Sequence, residues 1–154
     1  MHMINERTIL RNSLIEIVVP ELHKRGFEGN VKGNTRSYDF IRNENNSKQS
    51  IIFAFEKYGK PYFSMQIELE KTIPDKNKRN IKVGWILRPK KLFYKHQFGL
   101  KFSWINRLLR KDPTSLAKSE ANEILKLLPK IDKWWLSPID TPYIQYHEVF
   151  YKEN

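Results

Sequence analysis

The chain has 154 residues, 40% of them hydrophobic, 29% charged and 13% aromatic, with no cysteine and a formal charge of +11. That length fits a single domain spanning 1–154, the aromatic content speaks against disorder, and the missing cysteines exclude disulfides, thiolate metal sites and cysteine nucleophiles. No apolar run approaches the roughly 18 residues a membrane helix needs, so the expectation is a soluble cytoplasmic protein, without membrane insertion, whose positive field attracts acidic proteins or polyanions.

At the N-terminus "NERTILRNSLIEIVVPELHKRGF" places Leu10, Leu14, Val18 and Leu22 at helical spacing. Pro20 must either kink this helix or begin its last segment, and Gly26 closes it, so the pattern predicts a helix from about Glu6 to Arg25. "EGNVKGNT" reads as a loop, and "RSYDFIRN" as a short strand. Residues 49–71 then form two apolar, β-rich runs joined by "KYGKP", a β-hairpin signal. Phe63, Met65, Ile67 and Leu69 alternate with Ser64, Gln66, Glu68 and Glu70. The first set is expected to be buried, and Glu68 and Glu70 exposed. After the charged tip "PDKNKRN", the stretch "IKVGWILRP" alternates again through Ile81, Val83, Trp85 and Leu87.

The middle of the chain holds the charge. Residues 71–111 contain thirteen basic side chains against one acid, Asp75, a local charge of +12, whereas the remainder holds fifteen bases and sixteen acids. Within it, "RPKKLFYKHQFGLKFSW" mixes lysines with aromatic rings as nucleic-acid and anionic-surface binders do. Leu92, Tyr94, His96, Phe98, Leu100, Phe102 and Trp104 all fall on even positions, and Lys91, Lys95 and Lys101 on odd ones. An extended segment, broken at Gly99, therefore turns its rings inward and its lysines outward, with Phe93 alone among the charges. A helical reading of 92–110 would instead scatter rings and charges around the axis.

"DPTSLAKSEANEILKLLPKIDKWW" opens with Asp112 as an N-cap and Pro113 at the first helical position. Leu116, Ala121, Ile124, Leu128, Ile131 and Trp135 trace one face for packing on the sheet, and Pro129 is expected to bend or restart the helix. Trp135 is expected in the core and Trp134 to matter less. The tyrosine-rich tail "SPIDTPYIQYHEVFYKEN" carries no decisive pattern.

Signals for chemistry are sparse. There is no Gly-rich phosphate loop or nucleophile elbow, and His2, His23, His96 and His147 lack metal-ligand spacing. No catalytic residue, metal site or cofactor is assigned. Glu68 and Glu70 share a strand face and could in principle divide acid and base roles, but lysine-partnered carboxylates on a wet face account for them more simply. His147 and Glu148, adjacent on a strand, would face opposite sides.

"VVPELHKRGF", a glycine-containing loop, "TRSYDFIR" and the hairpin together resemble a bacterial family catalogued as domain of unknown function 4304. The resemblance covers roughly residues 9–70 and is carried by Pro20, Leu22, Gly26 and Phe27 and by Arg42 ending the next strand. It implies an α+β domain with an antiparallel sheet and brings no catalytic residue.

The expected fold is α+β: an antiparallel sheet of about four or five strands packed against an N-terminal and a C-terminal helix, with the basic segment on the sheet's far edge. The leading functional expectation is a non-enzymatic binding protein docking an acidic protein partner, as a small bacterial immunity or antitoxin protein docks its toxin. The basic face would comprise Lys76, Lys78, Arg79, Arg88, Lys90, Lys91, Phe93, Lys95 and Lys101. Nucleic-acid binding through the same face and an unrecognised enzyme are the alternatives.

Overall fold

A computed structural model of the chain describes residues 5–33, 35–71, 78–89, 95–100 and 112–152, with only the backbone at Lys78, Tyr151 and Lys152. The first helix begins as α1 (Glu6–Ser13), capped by the Asn5 side chain, which accepts from the Arg7 N–H at 3.0 Å. It widens into a π-turn at Leu14–Val18 and continues as α2 (Val19–Lys24). The Val19 N–H reaches back five residues to the Leu14 carbonyl. Pro20 is the physical reason: it has no N–H for the carbonyl four residues earlier and its ring needs room there, and the wider turn supplies it. Pro20 thus begins the last segment.

The end of α2 is a Schellman cap. Phe27 N–H donates to Leu22 O and Gly26 N–H to His23 O, both at 3.0 Å, with Gly26 at φ +87°. Arg42 secures this corner to the sheet. Its Nη1 donates to Arg25 O at 2.7 Å, its guanidinium lies 4.4 Å from the Phe27 ring centre, and Nε and Nη2 both donate to Gln49 Oε1.

The sheet is antiparallel throughout. β1 (Ser37–Glu44), β2 (Ser47–Phe55), β3 (Tyr62–Lys71), β4 (Lys78–Ile86) and β6 (Ile144–Lys152) lie side by side in the order β1-β2-β3-β4-β6. The short β5 (Gln97–Gly99) joins β3 at Tyr62–Ser64, beyond the end of β4. The long helix α3 (Pro113–Leu136) starts after Asp112 and runs on through Pro129 without the restart that was one of the two expectations there, the other being a bend. Both helices pack on one sheet face, and Leu10, Leu14, Leu22, Phe40, Phe53, Phe63, Met65, Ile67, Ile124 and Trp134 are all at most 2% exposed in one continuous core. The α+β architecture is as expected, with six strands among the described residues.

Four expectations need correction. The longest strand of the basic segment, β4, is not an edge, because it lies between β3 and β6 and the unassigned tail supplies the outer strand; only the three-residue β5, paired with β3 alone, is outermost. β4 also presents the opposite face. Gly84 pairs with Ile67 and Lys82 with Leu69, so Gly84 and Ile86 face the helices, while Ile81, Val83 and Trp85 stand with Glu70, Glu68 and Gln66 on the other side. Ile81 and Val83 are nonetheless buried, at 8% each, outside the main core. Beside them Glu68 and Glu70 are half-buried, not exposed. Finally, Trp134, 2% exposed, is buried more deeply than Trp135 at 7%, and donates its Nε1–H to Ile139 O at 3.2 Å.

In the ring-and-lysine stretch, Phe98 and Leu100 are buried as the alternation requires, and the Phe98 ring stacks on Phe63 at 5.5 Å. His96 breaks the rule: it sits exposed in the turn ahead of β5, where strand alternation does not apply. At Gly99, φ +148°, a Cβ would lie 2.2 Å from the Pro61 carbonyl oxygen, so the strand comes too close to its neighbour for any side chain.

Candidate protein-docking surface

The sheet register gathers bases from four strands at one end. Ser47 pairs with Lys71, Lys48 with Glu70, Arg79 with Tyr151 and Lys78 with Lys152. These pairs place Lys48, Lys71, Lys78, Arg79 and Lys152 together, with Lys82 one turn of the pleat further in. Among the described residues two acids, Glu44 and Glu70, share this end with them, and each is taken by an arginine. Arg42 Nε lies 3.2 Å from Glu44 Oε2, and Arg79 grips Glu70 in a fork, Nε to Oε1 at 2.7 Å and Nη2 to Oε2 at 3.0 Å. The Arg79 hydrogen bond holds the Glu70 carboxyl below the ordinary range, against the opposing effect of partial burial. Among the described residues Glu44 and Glu70 are thus held by arginines, while Lys48 and Lys71 stand exposed.

The individual expected site residues fare differently. Lys76, Lys90, Lys91, Phe93 and Lys101 lie outside the described residues. Lys78 has its backbone at the basic end, Arg79 is there and tied to Glu70, and Lys95 is exposed in the turn before β5. Arg88 belongs to a different construction at the opposite end of β4. Its Nη1 meets Glu120 Oε2 at 2.6 Å, both side chains under one-fifth exposed, and its guanidinium lies 4.9 Å from the Phe98 ring centre. Arg88 thus clamps the end of β4 to α3 over β5, a packing duty in which an outward anchor has no part.

The carboxylates on the far face do not form a working pair. Glu68 accepts from Gln66 Nε2 at 2.8 Å, while Glu70 is held by Arg79. Burial pushes the Glu68 carboxyl up, with Asp39 and Glu70 adding repulsion and Gln66 and Lys48 opposing. His147 and Glu148 face opposite sides, opposite Val83 and Lys82 respectively. Among the described residues no three His, Asp or Glu side chains converge as metal ligands.

An apolar notch of about 300 Å³ opens where α3 meets β6, walled by Trp134, Ile139 and Tyr143 and rimmed by Lys130 and Lys133. Lys130 Nζ stands 4.1 Å from the Tyr143 ring centre. The nearby acids are turned elsewhere, Asp132 to Arg25 and Asp140 to the Tyr146 N–H at 2.7 Å. The notch can hold one apolar side chain with a carboxylate beside it.

Pro20, Leu22, Gly26, Phe27 and Arg42, singled out in the sequence, prove to be one structural corner with no chemistry of its own. The sheet-end cluster was half hidden in the sequence, since Lys48 and Lys152 lie far from the basic segment and only strand pairing brings them to it. Compared with known proteins, the chain matches no family model, no curated protein and no solved structure. Among the described residues no helix is long and apolar enough to cross a membrane.

Proposed function

We propose that this protein is a non-enzymatic binding protein whose basic sheet end docks an acidic protein partner, in the manner of a small immunity or antitoxin protein. The observation that carries the reading is the register that collects Lys48, Lys71, Lys78, Arg79 and Lys152 while arginines occupy Glu44 and Glu70. A basic sheet end of this kind steers an acidic partner and disfavours basic ones. An enzymatic reading has less support, since Glu68 and Glu70, the carboxylates that share a strand face, are bound to Gln66 and Arg79.

Affinity capture from the native cell extract, with and without nuclease, tests it. The expected result is a protein that is retained after nuclease and lost when Lys48, Lys71 and Lys78 are changed to Glu. Submicromolar binding of labelled oligonucleotides at physiological salt, abolished by the same changes, would replace the proposal with a nucleic-acid one.

A further inference from the structure

We propose that the partner engages this surface by adding an extended acidic segment to the free edge of β6, from Glu148 to Lys152, as a further strand of the sheet. This rests on reading the basic end as the docking surface and names the mode of engagement.

The two outer edges of the sheet are finished differently. On β1, Glu28 exchanges both backbone bonds with Ile41, N–H to O at 2.8 and 2.9 Å, and so closes the middle of that edge. On β6, among the described residues, only the beginning is closed. Thr141 N–H donates to Ile144 O at 2.9 Å, Ile144 N–H reaches Thr141 Oγ1 at 3.0 Å, and Tyr146 N–H is taken by the Asp140 carboxylate. These bonds show that Ile144 and Tyr146 turn their backbone groups away from β4. The pairing of β6 with β4 runs without interruption from Ile144 to Lys152, so by the two-residue repeat Glu148 and Phe150 turn theirs outward as well. Among the described residues nothing accepts from the N–H of either. An edge capped for its first residues and bare for its last is a ready template for strand addition.

The surroundings select the occupant. Opposite the bare stretch on β4 stand Lys82, Arg79 and Lys78, and Lys152 ends the strand itself. The one acid on the stretch, Glu148, is occupied: its Oε1 accepts from Asn80 Nδ2 at 2.9 Å, and that bond, with the Tyr146 hydroxyl and Lys82 and against slight desolvation, holds its carboxyl below the ordinary value. Phe150, 71% exposed, offers a ring for a cross-strand contact with the incoming segment. A second copy of this chain fits poorly, since each chain carries a formal charge of +11 and the basic sheet end lies beside this stretch in both. An extended segment with alternating acidic and apolar residues fits both the charge and the edge.

The test uses a labelled, end-blocked peptide of alternating Val and Glu, the same peptide N-methylated at alternate residues, and its Val and Lys counterpart. Binding is followed by fluorescence anisotropy, and amide exchange at Glu148 and Phe150 by NMR. The Glu peptide should bind and slow exchange at both amides about ten-fold or more, and the N-methylated and Lys peptides should bind at least about ten-fold more weakly. Phe150→Pro removes an outward N–H without touching the ladder to β4, a change edge strands tolerate, and should abolish binding with the thermal midpoint retained. If that variant fails to fold, Phe150→Ala should weaken binding while leaving the amide protection pattern in place. Equal binding of the N-methylated peptide, or protection elsewhere, overturns strand addition and leaves the charge reading standing. No binding of the Glu peptide overturns both, and protection of these amides by self-association alone assigns the edge to a second copy.

Discussion

Gly84→Ala is the sharpest probe of how β4 sits in the sheet. A Cβ at this position would lie 2.7 Å from Ile67 Cγ1, 2.8 Å from Ile144 Cγ2 and 3.0 Å from Ile67 Cδ1. Comfortable carbon contacts are about 3.5–4.0 Å, so each is short by roughly 0.5–1.3 Å. The neighbours cannot withdraw easily: Ile67 and Ile144 are 0% and 1% exposed, and β-branched side chains are stiff at the very atoms involved. Overpacking of this kind costs about 1–3 kcal/mol, which outweighs the roughly 0.4–1 kcal/mol an alanine gains by restricting the unfolded chain. Urea unfolding followed by tryptophan fluorescence should show a lowered midpoint with unchanged slope. Ile67→Ala, which by itself should cost roughly 2–5 kcal/mol, should be less harmful in the Gly84→Ala background because the new methyl fills part of the cavity. The reasoning is refuted if Gly84→Ala is neutral or stabilising, the result expected of a glycine on the opposite face, or if the two changes simply add.

Trp134→Ala should destabilise by roughly 3–5 kcal/mol and more than Trp135→Ala, reversing the order the sequence suggests; equal unfolding midpoints would contradict the burial difference. Arg88→Ala should cost roughly 1–3 kcal/mol by thermal or chemical unfolding, below the 3–5 of a fully buried pair, because Glu120 loses its partner; an unchanged midpoint would return Arg88 to the list of binding residues. Glu68→Gln should raise stability at neutral pH. The folded carboxyl is raised by burial, so wild-type stability falls as pH rises from the ordinary value of about 4.5 through the raised one; the advantage of Gln should grow across that window and be flat above it, and a gain independent of pH would rule out the ionisation argument. Glu70 works in the opposite sense: its lowered carboxyl stabilises above the ordinary range and loses this as pH falls through the folded value. Glu70→Gln should therefore cost less than about 1 kcal/mol at neutral pH and progressively less in acid.

The elements that could be read directly were those whose pattern depends on neighbours in the chain. The α1 and α2 periodicity, the Gly26 cap, the hairpin register of Phe63, Met65, Ile67 and Leu69, and the start of α3 are all set by local spacing, and each is present. β4 was misread because "IKVGWIL" is apolar at both parities, and alternation cannot choose a face when Ile81, Val83 and Trp85 compete with Gly84 and Ile86. The choice was made by Ile67 and Ile144, which fill the space Gly84 leaves and lie far from it in sequence. β6 escaped notice for the same reason: its side chains are mostly exposed, so no apolar alternation marks it, and pairing with β4 is what makes it a strand. The turn between β1 and β2 is written locally, since Asn45 and Asn46 both adopt positive φ, a backbone shape asparagine tolerates better than most residues.

The pairing of β4 with β6 also orders events during synthesis. β1, β2, β3 and β4 can assemble as soon as residue 86 is available, by successive hairpin contacts between neighbours in sequence. β6 begins only at Ile144, so until then β4 is the growing sheet's outer strand, with Gly84 and Trp85 on an unpaired backbone. Closing that long loop is the slow, entropically costly step. In the interval, the nascent chain's exposed border is its most basic strand, and like charges on neighbouring nascent chains keep such borders from pairing with each other. The two lysines and the arginine of β4 would then protect the protein from aggregation before any partner is met.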